Sequence, residues 1–417
     1  MAPAPVPGPV APAPGPGPQP RPAGPDRPVW RVMVVVGTRP EAVKLAPVVL
    51  AMRADSRFEA VVVATGQHRH LTHPVLDLFG IRADHDLGIG RSDQSLADVT
   101  SRALDALDAV VGHAPPDALA VQGDTTTALS AALAAFYHRV PVVHVEAGLR
   151  TGNRYAPYPE ETNRRLITAL ATLHLAPTAG NVANLVAEGV ARRDIVCTGN
   201  TVVDALHHVL ALPLAAPAPV VAAARAAAGG VILVTIHRRE SWGPPLEAVG
   251  RAVARVARAH PHLLVLLPAH PNPRVRAALE PALAGVANVE MTEPLDYRSL
   301  VAVMARSVLV LTDSGGIQEE APSLGVPVLV LRDVTERAEA LAAGTVELVG
   351  TDESRIVTRA AQLLAARLLP PPSTLPPPGL APNPYGDGRA ASRSVAAIAH
   401  MLGGGPPAEE LCPPPPR

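Results

Sequence analysis

Short apolar runs built from Val, Leu and Ala alternate with helix-length segments along most of this chain. That alternation predicts strands of a parallel sheet with helices packed on both faces. Runs at Arg31–Val36, Glu59–Ala64, Ala118–Gln122, Val142–Val145, Leu173–Ala176 and Ile195–Thr198 predict the strands of a first unit. The alternation then restarts at Val231–Thr235 and continues through Leu263–Leu267, Val289–Thr292, Val308–Thr312, Val328–Leu331 and Val346–Val349 as a second unit of the same kind. The fold class is therefore α/β, with Rossmann-like domains over 29–205 and 206–375. A Pro/Ala-rich stretch, Leu212–Pro219, separates the two, and a Pro-rich loop, Pro370–Pro382, follows the second. A last helical segment, 384–402, is placed to cross back onto the first domain.

Length supports two domains, since 417 residues exceed a single ordinary core. With 48% hydrophobic residues but only 2% aromatic, those cores must be filled by Ala, Val and Leu, which fits α/β layering. The two ends, 1–28 and 403–417, carry too much Pro and Gly to pack and read as disordered tails. A net charge of -1 offers no broad basic field, which argues against a nucleic-acid partner. No apolar run reaches the roughly 18 residues that span a bilayer, and the N-terminus lacks the basic start and apolar core of a secretory leader. Cys197 and Cys412 lie far apart with no ligand-like spacing, so neither a disulfide framework nor a zinc site is expected, and the cytoplasm is the expected compartment.

In open α/β sheets, ligands sit beyond the carboxyl ends of the strands, so the residues just after each run are informative. Gly37-Thr38-Arg39-Pro40-Glu41 comes after the first run, with Pro40 at a first helical position and Arg39 and Lys44 bracketing the helix start. Helix N-terminal N–H groups with two cations suit a diphosphate, although the segment is neither a Walker loop nor a dinucleotide fingerprint, and solvated cations would look the same. Gly123-Asp124-Thr125-Thr126 and Glu146-Ala147-Gly148-Leu149-Arg150 come after later runs, and Glu160-Glu161 comes after Pro159. Taken singly, Asp124 reads as a helix N-cap and Glu160 as a first-turn charge. Glu146 ends an apolar strand, a costly place for an unpartnered carboxylate. Three carboxylates converging on one rim should push some of their pKa values upward, as general acid and base chemistry requires.

The second unit offers His237-Arg238-Arg239-Glu240 after its first run and Asp313-Ser314-Gly315-Gly316-Ile317 after a later one, with Glu320 one turn on. The Ser-Gly-Gly turn opens a helix and lets N–H groups approach an anion, though Gly at such a joint is often only geometry. A nucleotide diphosphate on the second domain, with its sugar facing the carboxylates of the first, accounts for the whole set. It calls for no metal and no cofactor.

These words, from Val36-Gly37-Thr38-Arg39-Pro40-Glu41 through His144-Val145-Glu146-Ala147-Gly148-Leu149-Arg150-Thr151 to Thr312-Asp313-Ser314-Gly315-Gly316-Ile317-Gln318-Glu319-Glu320, resemble the bacterial non-hydrolysing UDP-N-acetylglucosamine 2-epimerases in order and spacing. The resemblance runs from about Val32 to about Leu402. It implies the GT-B-like architecture with a cleft between two domains, a homodimer, and interconversion of UDP-GlcNAc and UDP-ManNAc through 2-acetamidoglucal. By this resemblance Asp124, Glu146, Glu160 and His237 are catalytic, and Arg39, Lys44, Ser314, Gly315, Gly316, Glu320 and Arg337 hold UDP. It also implies an activating second UDP-GlcNAc site at Gln67, His68, Arg69 and Arg102, with a departure at His70, where relatives often carry Gln or Glu. Competing readings are a hydrolysing epimerase releasing ManNAc and UDP, a glycosyltransferase of the same fold, and a nucleotide-sugar sensor without turnover. A replaced catalytic carboxylate would favour the sensor, and none is replaced.

Overall fold

The computed structural model describes residues 29–91, 93–213, 218–237, 242–269, 272–368 and 383–412. The first unit is built on β1 (Trp30–Val36), β2 (Phe58–Ala64), β3 (His85–Asp86), β4 (Ala118–Gln122), β5 (Val142–Val145), β6 (Leu173–Ala176) and β7 (Ile195–Cys197). All pair in parallel, in the order β3-β2-β1-β4-β5-β6-β7. The second unit comprises β8 (Val231–Thr235), β9 (Leu264–Pro268), β10 (Val289–Thr292), β11 (Ser307–Thr312), β12 (Val328–Val330) and β13 (Val346–Leu348), also parallel, in the order β10-β9-β8-β11-β12-β13. Strand β3 has no apolar run behind it. It is two residues long at the sheet edge, beside Val63 and Ala64.

Strand order reverses direction at one place in each sheet, between β1 and β4 and between β8 and β11. Loops leaving adjacent strands at such a point diverge to opposite faces and open a crevice. Gly37–Arg39 and Gly123–Thr125 flank the first crevice, His237 and Asp313–Ser314 the second. The strands behind these loops are almost wholly buried Val, Leu and Ala, which makes the crevice walls stiff.

Local signals explain the helix starts. Glu41 accepts from the amide of the N-cap Thr38 at the beginning of helix Arg39–Arg53, with Pro40 in its first turn, and Ser95 with Asp98 forms a full capping box for Leu96–His113. Helix Ala390–Met401 lies against helices Arg39–Arg53 and Thr201–Ala211 of the first unit, burying Ala391, Val395, Ile398 and Ala399. Asp204 on the latter helix caps it from outside, accepting from Ala390 N at 3.1 Å and Ala391 N at 2.8 Å. Among the described residues no helix is long and apolar enough to cross a membrane.

The segment after this helix corrects an expectation. Residues 403–412, read as part of a disordered tail, run across the first unit: Arg57 Nη1 donates to Gly404 O (2.6 Å), Arg192 pairs with Glu410 (2.7 Å), and Leu411 N donates to Cys197 O (2.8 Å). Composition misled because Gly and Pro favour extended chain, and extended chain packs as well as it solvates when edge carbonyls and cations await it. The expectations placed on 1–28, 238–240, 370–382 and 413–417 lie outside the described residues.

Candidate active site

On the first unit, Glu41 reaches back over the β1 turn. Its Oε2 accepts from Gly37 N (3.0 Å) and Thr38 N (2.6 Å), and its Oε1 from Thr125 Oγ1 (2.7 Å), tying the β1 loop to the β4 loop that carries Asp124. Burial pushes its carboxyl up to about 7 against those hydrogen bonds. The Gly37 and Thr38 amides expected to face an anion are therefore already bonded within the chain. Lys44, one turn further along, is buried and pairs with Glu146, with Glu319 Oε2 at 3.6 Å.

Glu146 stands on left-handed backbone (φ 62°), a conformation non-glycine residues adopt rarely and at a cost. Lys44, Gln122 Nε2 and Asn200 Nδ2 (3.0 Å) all donate to it. Burial pushes its carboxyl up, but Lys44 and Arg337 outweigh burial and hold it below the usual carboxylate range. The upward shift expected at this rim thus fails for Glu146, because cations accompany it. Around the cleft, burial raises the carboxyls of Glu41, Glu319 and Glu320. His144, buried behind the turn and held down to about 3 chiefly by desolvation, is neutral and donates from Nε2 to Gly123 O (2.7 Å), fixing the bend before Asp124.

Asp124 Oδ2 is gripped by the Arg164 guanidinium, with Nε at 3.0 Å and Nη2 as second donor, and Asn163 Nδ2 donates to Asp124 O at 2.9 Å. Glu160 opens helix Glu160–Leu170 and is half-buried. Its neighbour Glu161 is fully buried and bonds the Thr151 amide (3.0 Å), Arg164 (3.1 Å) and Arg165 (3.2 Å). Arg164 thus joins Asp124 to the helix that bears Glu160.

In the second unit, Asp313 is buried and accepts from His237 N (3.0 Å), with His237 Nδ1 at 3.0 Å from its Oδ1. This holds the half-exposed imidazole at the end of β8 beside the Ser314 turn. Ser314 N donates to Thr312 Oγ1 (2.9 Å), and helix Gly315–Glu320 comes next. A Cβ on Gly315 would stand 2.7 Å from Arg337 Cζ, so only glycine lets that guanidinium lie on the turn. Arg337 Nε donates to Glu319 Oε1 (3.0 Å), and Nη1 pairs with Glu336. Glu320 accepts from Tyr297 OH (2.7 Å); burial pushes it up to about 7, and Arg39 of the first unit is close enough to pull it down in part.

The predicted residues therefore gather on two facing crevices: Arg39, Lys44, Asp124, Glu146 and Glu160 on one, His237, Ser314, Gly315, Gly316, Glu320 and Arg337 on the other. Lys44 and Arg337 meet at Glu319. The Gln67 group is looser. Gln67 Oε1 accepts from Thr127 Oγ1 (2.9 Å), whose side chain abuts Gly37. His68 and Arg69 are exposed at the start of the next helix, Arg69 reaching Asp86 at 3.1 Å. Arg102 keeps Nη1 buried without a partner. Among the described residues, no group of His, Cys, Asp or Glu is arranged to hold a metal ion.

Sequence reasoning passed over Asn200 and Glu319. Both obey the rule that served elsewhere, Asn200 coming just after β7 and Glu319 lying within the Thr312–Glu320 motif, but neither advertises its contact across the cleft.

The chain is similar to known proteins over most of its length. A family model described as UDP-N-acetylglucosamine 2-epimerase matches residues 50–399. The UDP-N-acetylglucosamine 2-epimerase of Yersinia pestis is 48% identical over 373 residues, covering 88% of this chain and 98% of that protein. The crystal structure of UDP-GlcNAc 2-epimerase from Neisseria meningitidis bound to UDP-GlcNAc superposes with a TM-score of 0.80 at 42% identity, covering 89% of this chain and all of that one. A glycotransferase of kitacinnamycin shares the fold alone, with a TM-score of 0.58 at 13% identity over 90% of this chain and 99% of that one.

Proposed function

As a member of the UDP-N-acetylglucosamine 2-epimerase family, this chain is, we propose, the non-hydrolysing kind, interconverting UDP-GlcNAc and UDP-ManNAc by elimination and re-addition of UDP. The observation that carries the reading is the meeting of Lys44 and Arg337 between Glu146 of one crevice and the Ser314 turn of the other. UDP lies on the second unit, on Ser314, Gly315, Gly316 and Arg337, with Glu320 on the ribose hydroxyls and Arg39 and Lys44 closing from the first. The sugar then faces Asp124, Glu146 and Glu160.

In the forward step a carboxylate takes the proton from carbon 2 while the bond between carbon 1 and the β-phosphate oxygen breaks, giving 2-acetamidoglucal and UDP. Charge develops on the departing diphosphate, where Lys44, Arg337 and His237 stand ready to meet it. Re-addition forms the same bond with the proton returned to the other face. Asp124, locked by Arg164, and Glu146, locked by Lys44 and Asn200, are rigid enough to serve one face each. The working unit is a homodimer in the cytoplasm, and Gln67, His68, Arg69 and Arg102 form a second, activating UDP-GlcNAc site.

Incubation with UDP-GlcNAc in deuterated water, monitored by NMR beside an Asp124→Asn variant, tests this. The expected result is an equilibrating pair of nucleotide sugars deuterated at carbon 2, with exchange lost in the variant. Free ManNAc with stoichiometric UDP would assign the hydrolysing reaction instead, and binding without exchange would leave a sensor.

A further inference from the structure

Asn200 stands where the two units meet, at the N-cap of helix Thr201–Ala211. Its Oδ1 accepts from Val202 N (3.1 Å), which settles the orientation of the amide and turns Nδ2 the other way. Nδ2 donates both to Glu146 Oε1 (3.0 Å) and to Glu319 Oε2 (2.9 Å). Glu146 belongs to the first unit and Glu319 to the second, so one buried amide spends its two hydrogens on carboxylates from opposite sides of the cleft. Its backbone N is fixed as well, donating to Tyr385 O (2.6 Å).

The charged and titratable groups around this cluster are Lys44 from helix Arg39–Arg53, Glu146 after β5, Glu319 and Glu320 from helix Gly315–Glu320, Arg337, and Tyr385. Two cations thus face Glu146 and Glu319, and a neutral double donor completes the set without changing the charge balance. An acidic residue in its place would add a third negative charge, and a hydroxyl is too short and has a single hydrogen. Glu146 has particular need of such support, since its backbone is already in the left-handed region.

We propose that Asn200 is a positioning residue that ties Glu146 to Glu319, so that the placement of a catalytic carboxylate of the first unit depends on the approach of the second. The catalytic part of this statement rests on the epimerase reading above.

Asn200→Asp separates this tether from the helix cap, because Asp accepts from Val202 N as Asn does while offering one hydrogen at most when protonated and none once ionised. Melting temperature is measured at pH 5 and pH 8 for both proteins, with kcat and KM for UDP-GlcNAc epimerisation alongside. With a tether, the variant's melting deficit grows from pH 5 to pH 8 as the third carboxylate ionises, and kcat falls by about 100-fold with KM changed less than about threefold. If Asn200 only caps, the ionised Asp is the better cap at a helix N-terminus, so the deficit shrinks with pH and kcat stays at the wild-type value. That result overturns the proposal. The melting arm needs no turnover, so a wild-type protein that leaves UDP-GlcNAc unchanged would sink the epimerase reading while the sign of the pH trend still judges the tether. Should Asn200→Asp not fold at either pH, Asn200→Ser, a neutral cap, takes its place: the same kcat loss supports the tether, and a wild-type kcat refutes it.

Discussion

Glu41 shows how much of this site is organised by single side chains that touch no substrate. It bonds the Gly37 and Thr38 amides on one side and Thr125 on the other, so the loops of β1 and β4 keep their spacing through one buried carboxyl. That carboxyl titrates near 7 in the fold against an ordinary value of 4.5, so the folded state holds its proton longer than the unfolded chain does. Its favourable contribution is complete below 4.5 and is lost as pH rises through 7. Glu41→Gln should flatten this: between pH 4 and pH 8 the wild type should lose about 3 kcal/mol more than the variant, measured by urea unfolding at the two ends. The acidic and basic residues at strand ends were legible in the sequence because charge next to an apolar run is conspicuous. Asn200 was not, because an uncharged amide after a strand looks like a cap, and it is one. What distinguishes it is a pair of partners 54 and 119 residues away, which no local pattern encodes.

Apart from β3, the strands of both sheets match the apolar runs to within a residue at each end, because the inner strands, buried on both faces, are written as runs of mostly Val, Leu and Ala. Strand β3 escapes this logic. An edge pair such as His85–Asp86 is specified by its neighbours' free backbone groups and leaves no mark of its own. The segment 403–412 escapes it for the same reason, being held through Glu410, which accepts from Cys197 N (3.2 Å) and from Arg192, and through the Leu411 amide. Removing one charge-assisted acceptor should loosen this edge without disturbing the core. In Glu410→Gln, the Cys197 amide should exchange with solvent about tenfold faster, as read by hydrogen-exchange NMR or mass spectrometry, with little change in the amides of β1 and β4.

At the scale of the molecule, the first unit is completed only by the chain's return. Ala391, Val395, Ile398 and Leu402 share a core cluster with Val43, Ala46, Val202 and Leu206, so a chain ending after Leu368 would leave two helix faces of the first unit bare. Such a truncation should make the first unit the protease-sensitive half while residues of the second stay protected, a difference that limited proteolysis with mass mapping would show at once. Equal sensitivity of the two halves would mean that the returning helix matters little. In sequence the second unit is an insertion in the first, for its strands β8 to β13 lie between helix Thr201–Ala211 and helix Ala390–Met401, which both pack on the first unit. Glu319, Arg337 and the Ser314 turn thus belong to one inserted body and meet the residues around Glu146 as a single piece, so a change that shifts one of them against the first unit shifts all three.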